Sequence, residues 1–235
     1  MIKVTIYNEY LHERASERVA KVYPHGIHEA LKENLTDEDI SVKTVTLDNV
    51  EDITDELLAD TDVFMWWGHK AHEKVPDEIA VRVQQACLAG MGMIFLHSGH
   101  HSKPFKLLMG TPCNLSWRED GDREYLWVCD PSHPIVQGIG NYIKLEHEET
   151  YGEPFMIPEP DKLIFIGNYE GGEAFRSGCC YRRGYGKIFY FQPGHETFPT
   201  FYHPDVIRVL KNAIRWAVSD YRGVLECPHI KKIEE

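Results

Sequence analysis

The chain has 235 residues, 43% of them hydrophobic and 26% charged, which is ordinary for a globular protein and ample for one well-buried core. Its formal net charge is −12, and no basic run is longer than Arg182-Arg183 or Lys231-Lys232, which excludes a general positive field for nucleic acid or an anionic membrane and favours small neutral or cationic substrates. No segment approaches the ~20 apolar residues of a membrane span, and the opening MIKVTIYNEY lacks the flank and apolar stretch of a signal peptide, so a cytoplasmic location is expected.

The first strand reads Ile2-Lys3-Val4-Thr5-Ile6-Tyr7, and Asn8-Glu9 closes it. Helical periodicity covers residues 16–34, with Val19, Val22, Ile27, Ala30 and Leu31 inward and a break at Pro24 and Gly26. A second strand is expected at 42–47, a short helix or turn at 57–62, and a third strand at 63–67 that stops at Gly68-His69. Pro76 sits at a first helical turn, and that helix runs through Ala89 to a stop at Gly90. The continuous apolar run 92–96 then has the pattern of a strand covered on both faces, delivering His97 and Ser98 at its carboxyl end.

From Tyr125 onward the texture changes to short strands at 125–128, 143–145, 163–166 and 187–191, followed by an amphipathic helix at 205–219. Strands alternating with helices in the first half predict βαβ units, so the fold class is α/β, a mainly parallel sheet flanked by helices with additional short strands in the second half. No linker, repeat or low-complexity segment divides the chain, so residues 1–220 are expected to form one domain and 221–235 a surface tail.

Ligands of open α/β sheets bind outside the carboxyl ends of the strands. Four such ends carry polar groups that would converge there: Asn8 and Glu9, Gly68 and His69, His97 and Ser98, and Gly194, His195 and Glu196. The carboxylate-rich segment Glu146-His147-Glu148-Glu149-Thr150-Tyr151 joins them, read either as part of the site or as a solvated face. His195 is the candidate acid/base, oriented by Glu196, with His97 and Ser98 as further catalytic candidates. A substrate would meet Asn8, Glu9, Trp67, His69 and Tyr151, and Trp66, Trp117, Trp127 and Phe198 offer further stacking faces or core packing.

A mixed site of His69, His97, His195 and Glu149 would suit a divalent metal, zinc first, with room for water. His97 and His101 share i,i+4 spacing, but Pro104 limits any helix that would align them. No nucleotide cofactor is evident. The six cysteines lack C-x-x-C spacing, which argues against a zinc-thiolate site or a disulfide framework, and adjacent Cys179-Cys180 reads as one thiol inward and one outward on a strand. Ser98 is a poor elbow nucleophile, since a G-x-S-x-G elbow needs glycine where Leu96 and His100 stand.

The segments 62–69 (DVFMWWGH), 90–98 (GMGMIFLHS), 133–135 (HPI), 149–151 (ETY), 184–195 (GYGKIFYFQPGH) and 212–217 (NAIRWA) together resemble, in order, the ThuA-like (trehalose utilisation) family of the class I glutamine amidotransferase-like superfamily. The resemblance implies a flavodoxin-like fold and a role in carbohydrate metabolism, with trehalose or related disaccharides and keto-sugars as the substrate class. Amidotransferase relatives carry a cysteine at the elbow and a histidine with a nearby glutamate after the last strand. Here the elbow offers His97-Ser98, so thiolate-driven glutamine hydrolysis is not expected, although His195-Glu196 looks like the retained pair. Three readings follow: a carbohydrate-active enzyme with a histidine-rich, metal-binding pocket; a non-catalytic sugar-binding or regulatory module; or a serine hydrolase using Ser98 and His195. A homo-oligomer is compatible with each, and no motif sets its symmetry.

Overall fold

The structure, a computed structural model, describes residues 1–224 and 228–233. Along the chain it runs β1 (Ile2–Asn8), α1 (His12–Ala15), α2 (Glu17–Val22), α3 (Ile27–Leu35), β2 (Ile40–Thr46), α4 (Asp55–Ala59), β3 (Val63–Trp67), α5 (Asp77–Leu88), β4 (Gly92–Leu96) and α6 (Lys103–Met109). The second half holds β5 (Ser116–Val128), β6 (Tyr142–Gly152), β7 (Lys162–Tyr169), β8 (Ala174–Arg183), β9 (Gly186–Phe191) and α7 (Pro204–Ala217).

Among the described residues, nine strands form one sheet in the order β2-β1-β3-β4-β9-β8-β7-β5-β6. The first five are mutually parallel, and the remaining four continue the sheet antiparallel. The parallel part has the flavodoxin-like order, whose direction reverses between β1 and β3 and so opens a crevice beyond their carboxyl ends. One face is covered by α3 and α7, which bury Ile27, Leu31, Leu35, Val209, Leu210 and Ile214. The other is covered by α5 and α6 through Ile79, Val83, Cys87, Phe105 and Leu108.

Double coverage explains why β3 and β4 are apolar at every position, and all their residues are buried. It also corrects the expectation for the adjacent thiols. Cys179 and Cys180 do point to opposite faces of β8, but both faces are packed and both side chains are buried. The second-half strands are not short: β5 has 13 residues, β6 has 11 and β8 has 10. Their polar positions hid their length, and β6 in particular runs through the whole segment Glu146–Thr150 that looked like a charged run following a strand.

The segment beyond α7 lies across the carboxyl ends of α5 and α4, where Gly223 donates its N–H to the Ala89 carbonyl at 2.8 Å and Arg222 reaches the Leu58 carbonyl of α4 at 3.1 Å. The rest of the expected tail includes residues 225–227 and 234–235, which lie outside the described residues. Among the described residues no helix is long and apolar enough to cross a membrane.

Candidate metal centre and substrate cleft

His97 stands directly after β4 at φ +50°, in the left-handed region that non-glycine residues seldom adopt. The sharp turn of the elbow therefore falls on His97, and Ser98 comes one residue later. His97 is fully buried, and its Nδ1 donates to the Gln192 carbonyl at 3.0 Å, which turns Nε2 toward the crevice. There Nε2 lies 2.9 Å from Glu149 Oε2.

His69 is presented by the loop after β3, which Glu9 ties down by accepting the Lys70 and Ala71 amides at 2.9 and 3.0 Å. His195 follows β9 through Gly194, whose φ is +130° and where a Cβ would run into the Phe201 ring, so that only glycine fits. Beneath this turn the buried Glu148 carboxylate accepts the amides of Glu149, Gly194 and His195 at 3.0 Å each, and the Thr200 hydroxyl at 2.9 Å. Trp67 Nε1 closes the turn from the other side by donating to the Gly194 carbonyl at 3.0 Å. Glu196 accepts from His69 Nδ1 at 2.8 Å and pairs through its other oxygen with His12 Nδ1.

His69, His97, His195 and Glu196 form a cluster whose four ligand-capable atoms all lie within 4.8 Å of one another. The three imidazole rings sit 5.3–5.7 Å apart, centre to centre, and nearly perpendicular, at 72–83°. His195 Nδ1 is engaged by Thr197, while its buried Nε2 has no hydrogen-bond partner. Glu149 Oε2 is likewise buried and, despite its closeness to His97, has no aligned hydrogen bond.

Burial opposes the charged form of His97, but the facing Glu149 and the charges of Glu148 and Glu196 outweigh it and raise its pKa. Burial and the neighbouring His97 push His195 down to about 3. For Glu196, burial is overcome by the bonds from His12 and His69, which hold its carboxyl well below the usual carboxylate range.

Above the cluster lies a cleft of ≈ 660 Å³, lined among others by His69, His101, Glu149, Tyr151, Trp117 and Glu196. Tyr151 stacks on His97, and its hydroxyl is 2.9 Å from Ser98 Oγ and 3.5 Å from His97 Nε2. Ser98 is thus paired with a tyrosine and has no bond to His195.

Several expected residues stand elsewhere. Asn8 is buried and fully used, donating to Glu13 Oε1 at 2.7 Å, contacting His28 and capping the Tyr10 amide. Glu9 and Trp67 brace the loops that carry His69 and His195, and neither lines the cleft. His101 turns away to Asn114 at 3.1 Å, because residues 97–101 form a 3-10 turn and not an α-helix. The carboxylate drawn into the cluster is Glu196, with Glu149 facing His97 from the side. His12 and the acceptor role of Glu148 escaped sequence reasoning: His12 lies on a four-residue helix with no strand end to flag it, and Glu148 was hidden among neighbouring acids.

The ThuA family profile, described as trehalose utilisation, matches residues 3–217. The chain belongs to this family. No curated protein matches it in sequence. Among solved structures, a protein described as ThuA-like from Parabacteroides merdae superposes with a TM-score of 0.67 at 16% identity, covering 94% of this chain and 91% of the other. A second one described as ThuA-like, from Bacteroides uniformis, gives 0.65 at 16% identity over 94% and 92%. PurLQS from Thermotoga maritima gives 0.55 at 14% identity over 92% and 98%, and the shared fold is that of the glutamine amidotransferase-like proteins.

Proposed function

We propose that this ThuA-family chain is an enzyme of carbohydrate utilisation, acting on a disaccharide or keto-sugar at a divalent metal held by His69, His97, His195 and Glu196. Family membership supports a role associated with trehalose utilisation. The observation that carries the metal is the cluster itself, four ligand-capable atoms of His69, His97, His195 and Glu196 within 4.8 Å of one another. With Nδ1 spent as a donor, a neutral His97 turns an Nε2 lone pair toward a carboxylate oxygen 2.9 Å away, an arrangement that needs a proton or a cation to hold it together. The orphaned His195 Nε2 points to the same need.

The donor set, imidazole and carboxylate without thiolate, fits a first-row divalent ion such as zinc. His97 spends Nδ1 on the Gln192 carbonyl, the outer support that metal-binding histidines ordinarily have, while His69 donates its Nδ1 to Glu196 within the cluster. Metal–nitrogen bonds of ~2.1 Å set tetrahedral ligands ~3.4 Å apart, so closing on an ion asks the cluster to contract by up to about 1.4 Å. Such an ion supplies Lewis-acid polarisation of a substrate oxygen. Glu149 is the proton acceptor beside it, Tyr151 and Ser98 offer hydroxyls to a sugar, and Glu196 keeps His69 oriented.

Metal analysis of the purified protein should find about one ion per chain, lost in His97→Ala and His195→Ala but kept in His101→Ala. Calorimetry with disaccharides and keto-sugars should show binding to the loaded protein. A wild-type protein that neither carries nor takes up a divalent ion would sink this reading.

A further inference from the structure

The cleft above the histidine cluster is also lined by Trp117. Two tryptophans are exposed, and they differ in kind. Trp127, 46% exposed, rests against Tyr142 at 4.9 Å between ring centres. Trp117, 66% exposed, lines the cleft instead. Trp117 therefore places a large, exposed aromatic surface in the lining of a polar cleft.

Its position on β5 ties it to the cluster. Trp117 is the cross-strand partner of Tyr151, so the two side chains leave the same face of the ladder, and the Tyr151 hydroxyl is 3.5 Å from His97 Nε2. Glu119, two residues along the same face, comes within 3.9 Å of His195 Nε2. Between them Arg118 is held by Asp120, Asp122 and Glu173, which fixes this stretch of strand before anything binds. Asn114 and His101, hydrogen-bonded to each other and also in the lining, supply further polar groups.

We infer that Trp117 is the platform of a second sugar subsite: one ring of a disaccharide lies at the histidine cluster and the next stacks its C–H face on the indole, with Asn114 and His101 toward its hydroxyls. This subsite rests on the reading of the cleft as a carbohydrate site and adds that the cleft takes two rings.

Calorimetry on metal-loaded protein with trehalose and with methyl α-D-glucopyranoside tests it. The wild type should bind trehalose about tenfold more tightly than the single-ring glucoside, as one aromatic stack allows. Trp117→Ala should abolish that margin while keeping its metal and its glucoside affinity, Trp117→Phe should restore most of it, and Trp127→Ala should leave it intact. A margin that survives in Trp117→Ala, or one absent from the wild type, overturns the subsite. If the wild type binds neither sugar, the subsite falls, and the metal content measured separately still decides the metal reading.

Discussion

Glu148→Gln changes one atom and leaves the side chain the same size, yet it should damage the candidate site. The carboxylate accepts four bonds: Oε1 takes the Glu149 and His195 amides, and Oε2 takes the Gly194 amide and the Thr200 hydroxyl. Burial raises its pKa, while the three backbone N–H donors and the Thr200 hydroxyl directed at it favour the ionised form. A glutamine must turn its NH₂ toward one of the two donor pairs. The better choice faces Thr200, whose hydroxyl can rotate to accept, and strands the Gly194 N–H. One orphaned buried amide costs about 1–3 kcal/mol, and replacing charge-assisted bonds by neutral ones adds about 1–2 kcal/mol. Denaturant unfolding should therefore show a loss of about 3 kcal/mol. Because the released turn carries His195, metal affinity should fall by about 10- to 100-fold, the usual effect of losing a support one shell out from the ligands. A variant within about 0.5 kcal/mol of wild type and with unchanged metal affinity would refute the assignment of Glu148 as the anchor of the turn.

Other perturbations separate the remaining claims. Gly194→Ala should cost about 3 kcal/mol or more in thermal or denaturant unfolding, since an added Cβ meets the Phe201 ring at a φ of +130°; a nearly neutral variant would contradict the packing. Ser98→Ala should keep its metal and lower turnover of a carbohydrate substrate less than about tenfold, because it removes one hydroxyl contact to Tyr151; covalent labelling of Ser98 by a serine-directed reagent would instead favour serine chemistry. Glu124 is fully buried, and burial together with Glu148 raises its pKa well above the carboxylate value. A raised carboxyl pKa means the folded state keeps a proton that the unfolded chain gives up, so its contribution is intact below about pH 4 and is lost as pH rises from the unfolded pKa toward the folded one, at about 1.4 kcal/mol per pH unit. Glu124→Gln, permanently neutral, should match wild type near pH 4 and exceed it at pH 8 in denaturant titrations, and parallel pH profiles would show that Glu124 is ionised in the folded protein.

The parallel half of the fold was legible because double coverage leaves an unmistakable residue pattern: Val63–Trp67 and Gly92–Leu96 are apolar at every position, and the expected bounds match the observed strands. The strand ends that carry His69, His97 and His195 followed from that topology alone. What stayed hidden was polar residues inside strands. Glu148 and Glu149 are buried on β6 as an anchor for a turn and a partner for an imidazole, roles that depend on groups 46 to 52 positions away and leave no local pattern. The same blindness made Asn8 and Glu9 look like ligands of substrate, when their buried hydrogen bonds serve the framework.

The elbow of this fold is a device for presenting one side chain, under backbone strain, at the point where strand ends converge. In this chain that position is held by a histidine, and the consequences run through the whole site. An imidazole at φ +50° with its Nδ1 locked to Gln192 cannot swing as a mobile acid/base, which suits a ligand better than a shuttle. Its two imidazole neighbours are nearly perpendicular to it, and one ligand-capable atom of each ring lies within 4.8 Å of the others. The glutamate after the last strand, expected to orient His195, makes no hydrogen bond to it and is shared between His12 and His69, because Thr197 takes His195 Nδ1. Each departure from nucleophile chemistry thus coincides with a feature that the proposed cation site needs. The strain stored at residue 97 is then explained by what converges there: a relaxed backbone would carry Nε2 away from Glu149, His69 and His195 together.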